Sequence, residues 1–458
     1  MPPFLYEISD IDPIEAFLAI KHIPYSLLLD SADEKHPASR YSYVMCMPVE
    51  TIEAKDGTIT VTNWEQRLNL TGDPLDIVQS RLSSWIEGEH NLEGLPPFQG
   101  GAAGLFGYNL ARSLEEFPEN KHARSATPDL AIGIYDQVLA FDHLRKRSYI
   151  ITHAHNEEEA IKKRNHFKEL VTQKIDAPPY KKQSPELDWS SNFDKKSYCE
   201  AVQKTIDYIY AGDIFQANIS QCFTSARPKD FDPFLHYRHM RKVNPAPCSC
   251  YMNIGDIKIS SASPEHFISI EDGLIETRPI KGTRPRSDNI IEDRAYKNEL
   301  LESEKDRAEN TMIVDLLRND LSKVCIPDSV DVTNLCELES FTNVHHLVST
   351  IQAKLAKNKT PTDVMRACFP GGSITGVPKI RAMEIIDELE SVDRGAYCGS
   401  MGYIGFDGAM DTNILIRTLT YDASSITLQA GGGIVAGSDP EAEYQETLDK
   451  ASAIFQSF

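Results

Sequence analysis

Ser425-Ile-Thr-Leu-Gln-Ala-Gly-Gly-Gly-Ile434 reads as a strand running into three glycines, and Gly437-Ser-Asp-Pro-Glu-Ala-Glu-Tyr-Gln-Glu446 follows it after a short turn. Asp439 is suited to a helix N-cap and Pro440 to a first helical turn, which predicts a helix over about 440–455. Moving outward, short strand-like runs bounded by turn residues recur at Tyr25–Leu29, Tyr41–Met45, Thr58–Val61 and Ala131–Tyr135. An amphipathic helix is predicted over Lys195–Tyr210 and another helical stretch over about 293–318. Strands and helices intermix, but no repeated β-α unit sets up a doubly wound parallel sheet. The expectation is an α+β architecture with large, mostly antiparallel sheets. The charge-rich helix expected over Glu157–Lys174 gives way to Asp176-Ala-Pro-Pro-Tyr-Lys-Lys-Gln-Ser-Pro-Glu186. That composition predicts a connector at about 176–192, between an N-terminal domain (1–176) and a C-terminal one (193–458).

The 458 residues carry a formal charge of −21. Such a field repels nucleic acid and anionic lipid, so neither is an expected partner. It also repels a small anionic substrate unless cations gather locally, which makes clusters of Lys and Arg informative. No apolar run approaches the ~18 residues needed to span a bilayer. The start, Met1-Pro-Pro-Phe-Leu-Tyr-Glu7, has no basic n-region. The nine cysteines are scattered, with no C-x-x-C pair, and no Cys/His set has zinc spacing; a reduced, cytoplasmic protein is expected. Cys248-Ser-Cys250, in a strand, would put both thiols on one face. Gly371-Gly-Ser-Ile-Thr-Gly376 runs on to Val377 where a P-loop needs Lys. Gln99-Gly-Gly-Ala-Ala-Gly104 lacks the first glycine of a dinucleotide fingerprint.

Three kinds of residue could carry chemistry. Thr277-Arg-Pro-Ile-Lys281-Gly-Thr-Arg-Pro-Arg286 places four cations within nine residues. Gly282 removes a side chain beside Lys281, and neighbouring arginines are expected to lower the lysine pKa and raise its free-amine fraction. A solvated basic loop explains the same residues. The second kind is carboxylate. Glu443 and Glu446 share one face of the last helix with Lys450, and Glu309 lies in the helical Lys305–Leu316 stretch. Carboxylates from two separate helices suit Mg²⁺, although a surface Glu446–Lys450 pair is the plain alternative. The third kind is glycine-rich backbone. Gly431–Gly433 could aim N–H groups at a carboxylate. Pro370–Gly376 precedes a helix beginning near Pro378 whose N-terminus favours an anion. Glu265 is a candidate general acid, and His345-His346 completes the set.

In order, Phe98-Gln-Gly-Gly101, Gly212-Asp-Ile-Phe-Gln-Ala-Asn-Ile-Ser220, Arg278-Pro-Ile-Lys-Gly-Thr283 and Asp306-Arg-Ala-Glu309 resemble the chorismate-utilising enzymes. Val314–Asp320, His345–Ser349, Pro370–Gly376, Gly431–Ile434 and Ala442–Glu446 extend the match over nearly the whole chain. The resemblance implies a large two-layer antiparallel β-sandwich enclosed by helices. It also implies that Glu309 and Glu446, with Glu443 directly or through water, hold Mg²⁺ against a carboxylate of chorismate. By the same match His346, Thr375, Gly376, Tyr397, Arg417, Gly432, Gly433 and Lys450 surround the substrate, and Glu265 protonates the departing C4 hydroxyl. Isochorismate-forming relatives place a water-activating lysine where this chain has Gln216, so water addition is not expected. Anthranilate synthases read Pro-Ile-Ala-Gly-Thr where this chain has Lys281. The lysine matches the aminodeoxychorismate synthases, in which it attacks C2 itself.

That branch implies a separate glutamine amidotransferase subunit supplying ammonia, since no segment here carries a glutaminase cysteine elbow. Leu27–Ser31, Ala38-Ser-Arg-Tyr41 and Pro247-Cys-Ser249 resemble the tryptophan pocket of anthranilate synthases, with Asp30 in place of the usual glutamate. The implied pocket residues are Ser31, Ala38, Ser39, Arg40, Tyr41, Pro247, Cys248 and Ser249. Bound L-tryptophan, an empty pocket, or ordinary core strand and loop all fit these segments. The competing functional readings are an anthranilate synthase large subunit and a non-catalytic amino-acid-binding subunit; the second requires broken acid, metal and nucleophile sites.

Overall fold

The computed structural model describes residues 1–33, 36–37, 39–85, 92–118, 124–176, 178–182, 187–341 and 344–458. Two large antiparallel sheets, each of 12 strands, form the body of the molecule. The first begins at the edge strand Pro3–Ile8, passes through Tyr41–Met45 and Leu27–Asp30, and continues into Cys248–Ile254. It ends with Ser425–Ile434 beside Gln216–Ala226. The second runs from Ile280–Pro285 and Val344–Lys354 through His266–Glu271 and Ser400–Gly405 to Gly101–Phe106 and Leu130–Tyr135. The α+β, two-sheet expectation therefore holds.

Strands from both sides of the 176–192 connector pair directly. Leu27–Asp30 hydrogen-bonds to Cys248–Ile254, and Gly101–Phe106 to Ser400–Gly405. The connector thus joins two lengths of chain that share both sheets.

Packing explains the strand composition. Leu27, Tyr43, Val138 and Ile151 of the first sheet meet Ala103, Leu105, Ala131 and Tyr403 of the second in one buried cluster. Helices cover the outer faces, so central strands such as Leu130–Tyr135 are buried on both sides and read as continuous apolar runs. The expected 293–318 helix is two helices, Ile290–Glu302 and Glu304–Ser322. Ser303 ends the first and caps the second by accepting from Asp306 N at 3.2 Å. Short local hydrogen bonds of this kind compete with helix propagation and are hard to see in an amphipathic pattern.

Two elements place the site. The last helix, Pro440–Phe455, is capped by Asp439, whose side chain accepts from Ala442 N at 2.9 Å. Its buried face carries Glu443, Thr447, Ala451 and Ile454, so Glu443 points inward against the neighbouring strand in the helix's first turn. Strand Ser425–Ile434 continues through the three glycines, pairing Gly431, Gly432 and Gly433 with Ser220, Ile219 and Asn218. The glycines are not a loop. Their use is close approach: a Cβ on Gly433 would collide with Gln216 Nε2, and one on Gly432 would sit 3.0 Å from Glu443 Oε2.

Candidate active site

Lys281 lies on Ile280–Pro285, an end strand of the second sheet, opposite Leu347. The register shifts between Lys281 and Thr283, and Gly282 between them has φ +83°. A Cβ there would meet Leu300 and Asp306, so the glycine serves helix packing and the bulge that aims Lys281, not ligand approach. The amine donates to the Ser373 carbonyl at 3.0 Å. Burial lowers its pKa, opposed by Glu309 and Glu265 and aided by the like charge of Lys450.

The neighbouring arginines, expected to lower that pKa, are not its cause. Arg278 pairs with Glu339, Arg284 with Glu299 and Asp306, and Arg286 with Asp293. With each guanidinium neutralised by an acid, the arginines make no anion attractor. Desolvation of the amine does the work instead.

Glu265 is buried and accepts from Ser373 Oγ at 2.7 Å. Burial raises its pKa, partly offset by that hydrogen bond and by Lys281. Ser373 therefore touches both groups, its hydroxyl on Glu265 and its carbonyl on Lys281. It was not among the candidates, although it sits inside the Pro370–Gly376 run; a hydroxyl directly after the two glycines is the signal that was available.

The carboxylates come from the two helices expected. Burial raises the Glu309 pKa, and Asp306 and Glu443 push it further in the same direction while Lys281 opposes. Glu443, on the helix first turn, accepts from Ser438 Oγ at 2.7 Å and pairs with Lys305 at 3.5 Å. Glu446 pairs with Lys450 at 2.6 Å; burial would raise its pKa, but Lys450 outweighs burial and the net shift is down. Lys450 also donates to the Gly431 carbonyl at 2.9 Å. Among the described residues no three His, Cys, Asp or Glu side chains stand close enough to enclose a metal. Mg²⁺ needs only one or two protein carboxylates, with water and substrate oxygens filling its octahedron. The hard-oxygen donors Glu309, Glu443 and Glu446, with mutual repulsion at Glu309, fit that requirement.

Around this centre lie the remaining candidates. His346 is buried, hydrogen-bonded to Thr283 Oγ1 at 2.9 Å, and pushed down to about 4 by burial and then by Arg417. His345 is structural, held between Ser340 and Asp293 at 2.9 Å each. The Arg417 guanidinium has no hydrogen-bond or ion-pair partner among the described residues, and burial lowers its pKa. A half-buried cation with no partner among the described residues suits a carboxylate ligand. Gln216 points at Gly433, beside Lys281, and its Oε1 is buried without a hydrogen-bond partner. Thr375 is fully buried, its carbonyl accepting from Asn218 N at 2.7 Å. A Cβ on Gly376 would strike the Gln216 carbonyl. Tyr397 is buried beneath Arg394, 5.7 Å from the guanidinium carbon to the ring centroid.

One expected anion site falls elsewhere. The helix after Pro378 spans Lys379–Leu389, and its first turn lines a groove of about 910 Å³ with Leu316, Asp320 and Phe369. Lys281 and Glu265 do not line that groove.

The residues expected at a tryptophan pocket form a second cavity, of about 290 Å³, lined by Ser31, Tyr41, Pro247, Cys248 and Ser249 among others. Arg278 also lines it, three residues before Lys281. Arg40 does not; its guanidinium pairs with Asp142 at 3.2 Å and packs over the Tyr41 ring. Ser39 is buried but absent from the lining, and Ala38 lies outside the described residues. Asp30, in place of the usual glutamate, lines the cavity and accepts from Tyr237 at 2.8 Å and from Arg241 at 2.6 Å.

Residues 26–456 match the chorismate binding enzyme family. The chain belongs to that family. It is 43% identical to aminodeoxychorismate synthase component 1 of Escherichia coli, over 96% of this chain and 94% of that one. It is 38% identical to anthranilate synthase component 1 of Thermus thermophilus, over 98% and 96%. Among solved structures it resembles anthranilate synthase component I from Streptococcus pneumoniae, with a TM-score of 0.79 and 32% identity, covering 92% of this chain and 93% of that one. Family membership accounts for the two-sheet body and its helical cover. No helix among the described residues is long and apolar enough to cross a membrane.

Proposed function

We propose that this chain is an aminodeoxychorismate synthase component 1, forming 4-amino-4-deoxychorismate from chorismate and ammonia for para-aminobenzoate and folate synthesis. The observation that carries the reading is Lys281, a half-buried amine with its pKa lowered by desolvation, on the same serine as the buried acid Glu265. The relatives bearing that name are as similar as any reported above.

The free amine of Lys281 adds to C2 of chorismate, the ring double bond shifts, and the C4 hydroxyl leaves as water with the proton of Glu265. Ammonia then adds at C4, the double bond shifts back, and the C2 bond to Lys281 breaks; the amine regains a free state as the proton carried by the incoming ammonia returns to Glu265. Dividing one displacement into two lowers each barrier, and burial keeps Lys281 nucleophilic and Glu265 protonated enough to act. Arg417 is placed to hold a substrate carboxylate. Glu309 and Glu446, with Glu443, would hold Mg²⁺, which when bound neutralises a carboxylate of the substrate. Gln216 carries no basic side chain to activate water, in keeping with ammonia as nucleophile.

A glutamine amidotransferase subunit is the proposed ammonia source, and the 290 Å³ cavity the proposed tryptophan site, as ligand or inhibitor. The test is product analysis from chorismate, Mg²⁺ and ammonia. A non-fluorescent amino product together with a Lys281 adduct by intact mass in the absence of ammonia is expected. Fluorescent anthranilate, or full rate in Lys281→Ala, would overturn the reading.

A further inference from the structure

Arg394 lies outside every residue set considered so far, in the turn between the helix Lys379–Leu389 and the strand Ser400–Gly405. It is only 4% exposed, and all three of its guanidinium nitrogens donate hydrogen bonds. Nε and NH2 fork onto Glu390 at 3.0 and 2.7 Å. NH1 donates to the Ile374 carbonyl at 3.0 Å and NH2 to the Asn218 carbonyl at 2.6 Å. The plane lies over Tyr108, 4.8 Å from its ring centroid. Glu390, itself 3% exposed, completes the bracket by accepting from Ser220 N at 2.7 Å and Ser220 Oγ at 2.9 Å.

The carbonyls that Arg394 holds are not arbitrary. Ile374 follows Ser373, the residue on which Glu265 and Lys281 converge. Asn218 in turn donates its N–H to the carbonyl of Thr375, so the loop is gripped at two successive carbonyls, Ile374 and Thr375, just after Ser373. A buried ion pair contributes little to stability against an apolar replacement, because desolvation cancels most of its Coulomb gain. A bidentate Arg with four fixed acceptors does give directional order that Lys cannot supply.

We propose that Arg394, braced by Glu390, is a positioning residue for the reaction: it fixes the Ile374 and Asn218 carbonyls and thereby the Ser373 loop that sets the acid against the nucleophile. This rests on the functional reading above, and it concerns geometry only; Arg394 touches no reacting atom.

The experiment uses the full chain with chorismate, Mg²⁺ and ammonia, comparing Arg394→Lys, Ser373→Ala and the double variant. Arg394→Lys is expected to unfold cooperatively near the wild-type temperature, lose about 100-fold in kcat, the scale of a 1 Å misplacement, and change KM for chorismate less than about threefold. Because both substitutions act through one loop, the double variant should be no slower than the slower single one. Multiplying losses in the double variant, or a KM rise with kcat intact, overturns the inference. If Arg394→Lys does not fold, Glu390→Gln loosens the same fork, and roughly a tenfold kcat loss is expected; unchanged kcat there also overturns it. A wild-type chain that turns over while these variants match it leaves the functional reading standing. A wild-type chain that forms no amino product removes that reading, and this inference with it.

Discussion

The Lys281 centre and the 290 Å³ cavity differ in how their charges are compensated. Around the 290 Å³ cavity the charges are paired, Asp30 with Tyr237 and Arg241 and Arg278 with Glu339, and the unpartnered buried atom there, His266 Nδ1, belongs to a ring whose Nε2 meets Asp411 at 3.0 Å. At the Lys281 centre, Gln216 Oε1 is buried without a hydrogen-bond partner, the half-buried Arg417 guanidinium has no partner among the described residues, Lys281 bonds among them to a carbonyl alone, and Glu309 feels the like charge of Glu443. Satisfied charges hold a shape. Unsatisfied ones hold a ligand or a proton, because leaving them buried is costly unless something arrives to complete them. The contrast suits a reaction centre at Lys281 and a binding role for the cavity.

The strongest way to break this contrast is Lys281→Ala. A loss on the order of 10³-fold or more in amino product is expected, as for removal of a covalent nucleophile, with no adduct in the intact mass. Retained rate would show that the half-buried amine is structural.

Next in size is Glu265→Gln, expected to lower kcat by ~10²–10⁴-fold, the range for a general acid. The same variant has a stability signature. The folded pKa of Glu265 is raised above its unfolded value, so its protonated form is the one the fold favours. Its contribution is present below the unfolded pKa and is lost as pH rises through the folded one. Glutamine mimics the protonated form, so the Tm difference between variant and wild type should grow from acid to neutral pH. A constant difference would mean that Glu265 is not held protonated.

Ser373→Ala removes the hydrogen bond that holds the Glu265 pKa down. The alkaline limb of the kcat profile, where Glu265 loses its proton, should therefore move to higher pH. A fixed limb would detach Ser373 from the acid.

The smallest effect is expected at the other cavity. Ser31 Oγ donates to the Tyr41 carbonyl at 2.6 Å, and its N–H donates to Ser42 Oγ at 3.0 Å. Ser31→Ala should leave the ammonia-dependent rate within about twofold, as expected for a polar contact outside the reaction centre, while weakening tryptophan binding by calorimetry. Unchanged tryptophan binding would remove Ser31 from that pocket.

How much of this was legible beforehand differs by element. The expected Tyr41–Met45 strand and 440–455 helix match their observed bounds, since a β-rich run bounded by turn residues and an Asp-Pro cap are local signals. The Ile290–Glu302/Glu304–Ser322 break was not, because Ser303 caps through one side-chain bond that the apolar pattern does not record. Lys281, Glu265, Glu309 and Glu446 were named from motifs. Ser373 and Arg394 were missed because their roles exist only where distant segments meet.

The sequence by itself determined the strand and helix pattern, the antiparallel α+β class, and which side chains could be nucleophile, acid and carboxylate donors. Those follow from local chemistry and periodicity. Only the tertiary structure decided why the Lys281 pKa falls. Sequence proximity to three arginines suggested charge repulsion, yet each arginine is cancelled by an acid from another element, and burial of the amine takes over. Desolvation and pairing depend on what packs around a group, and that is set by residues tens to hundreds of positions away.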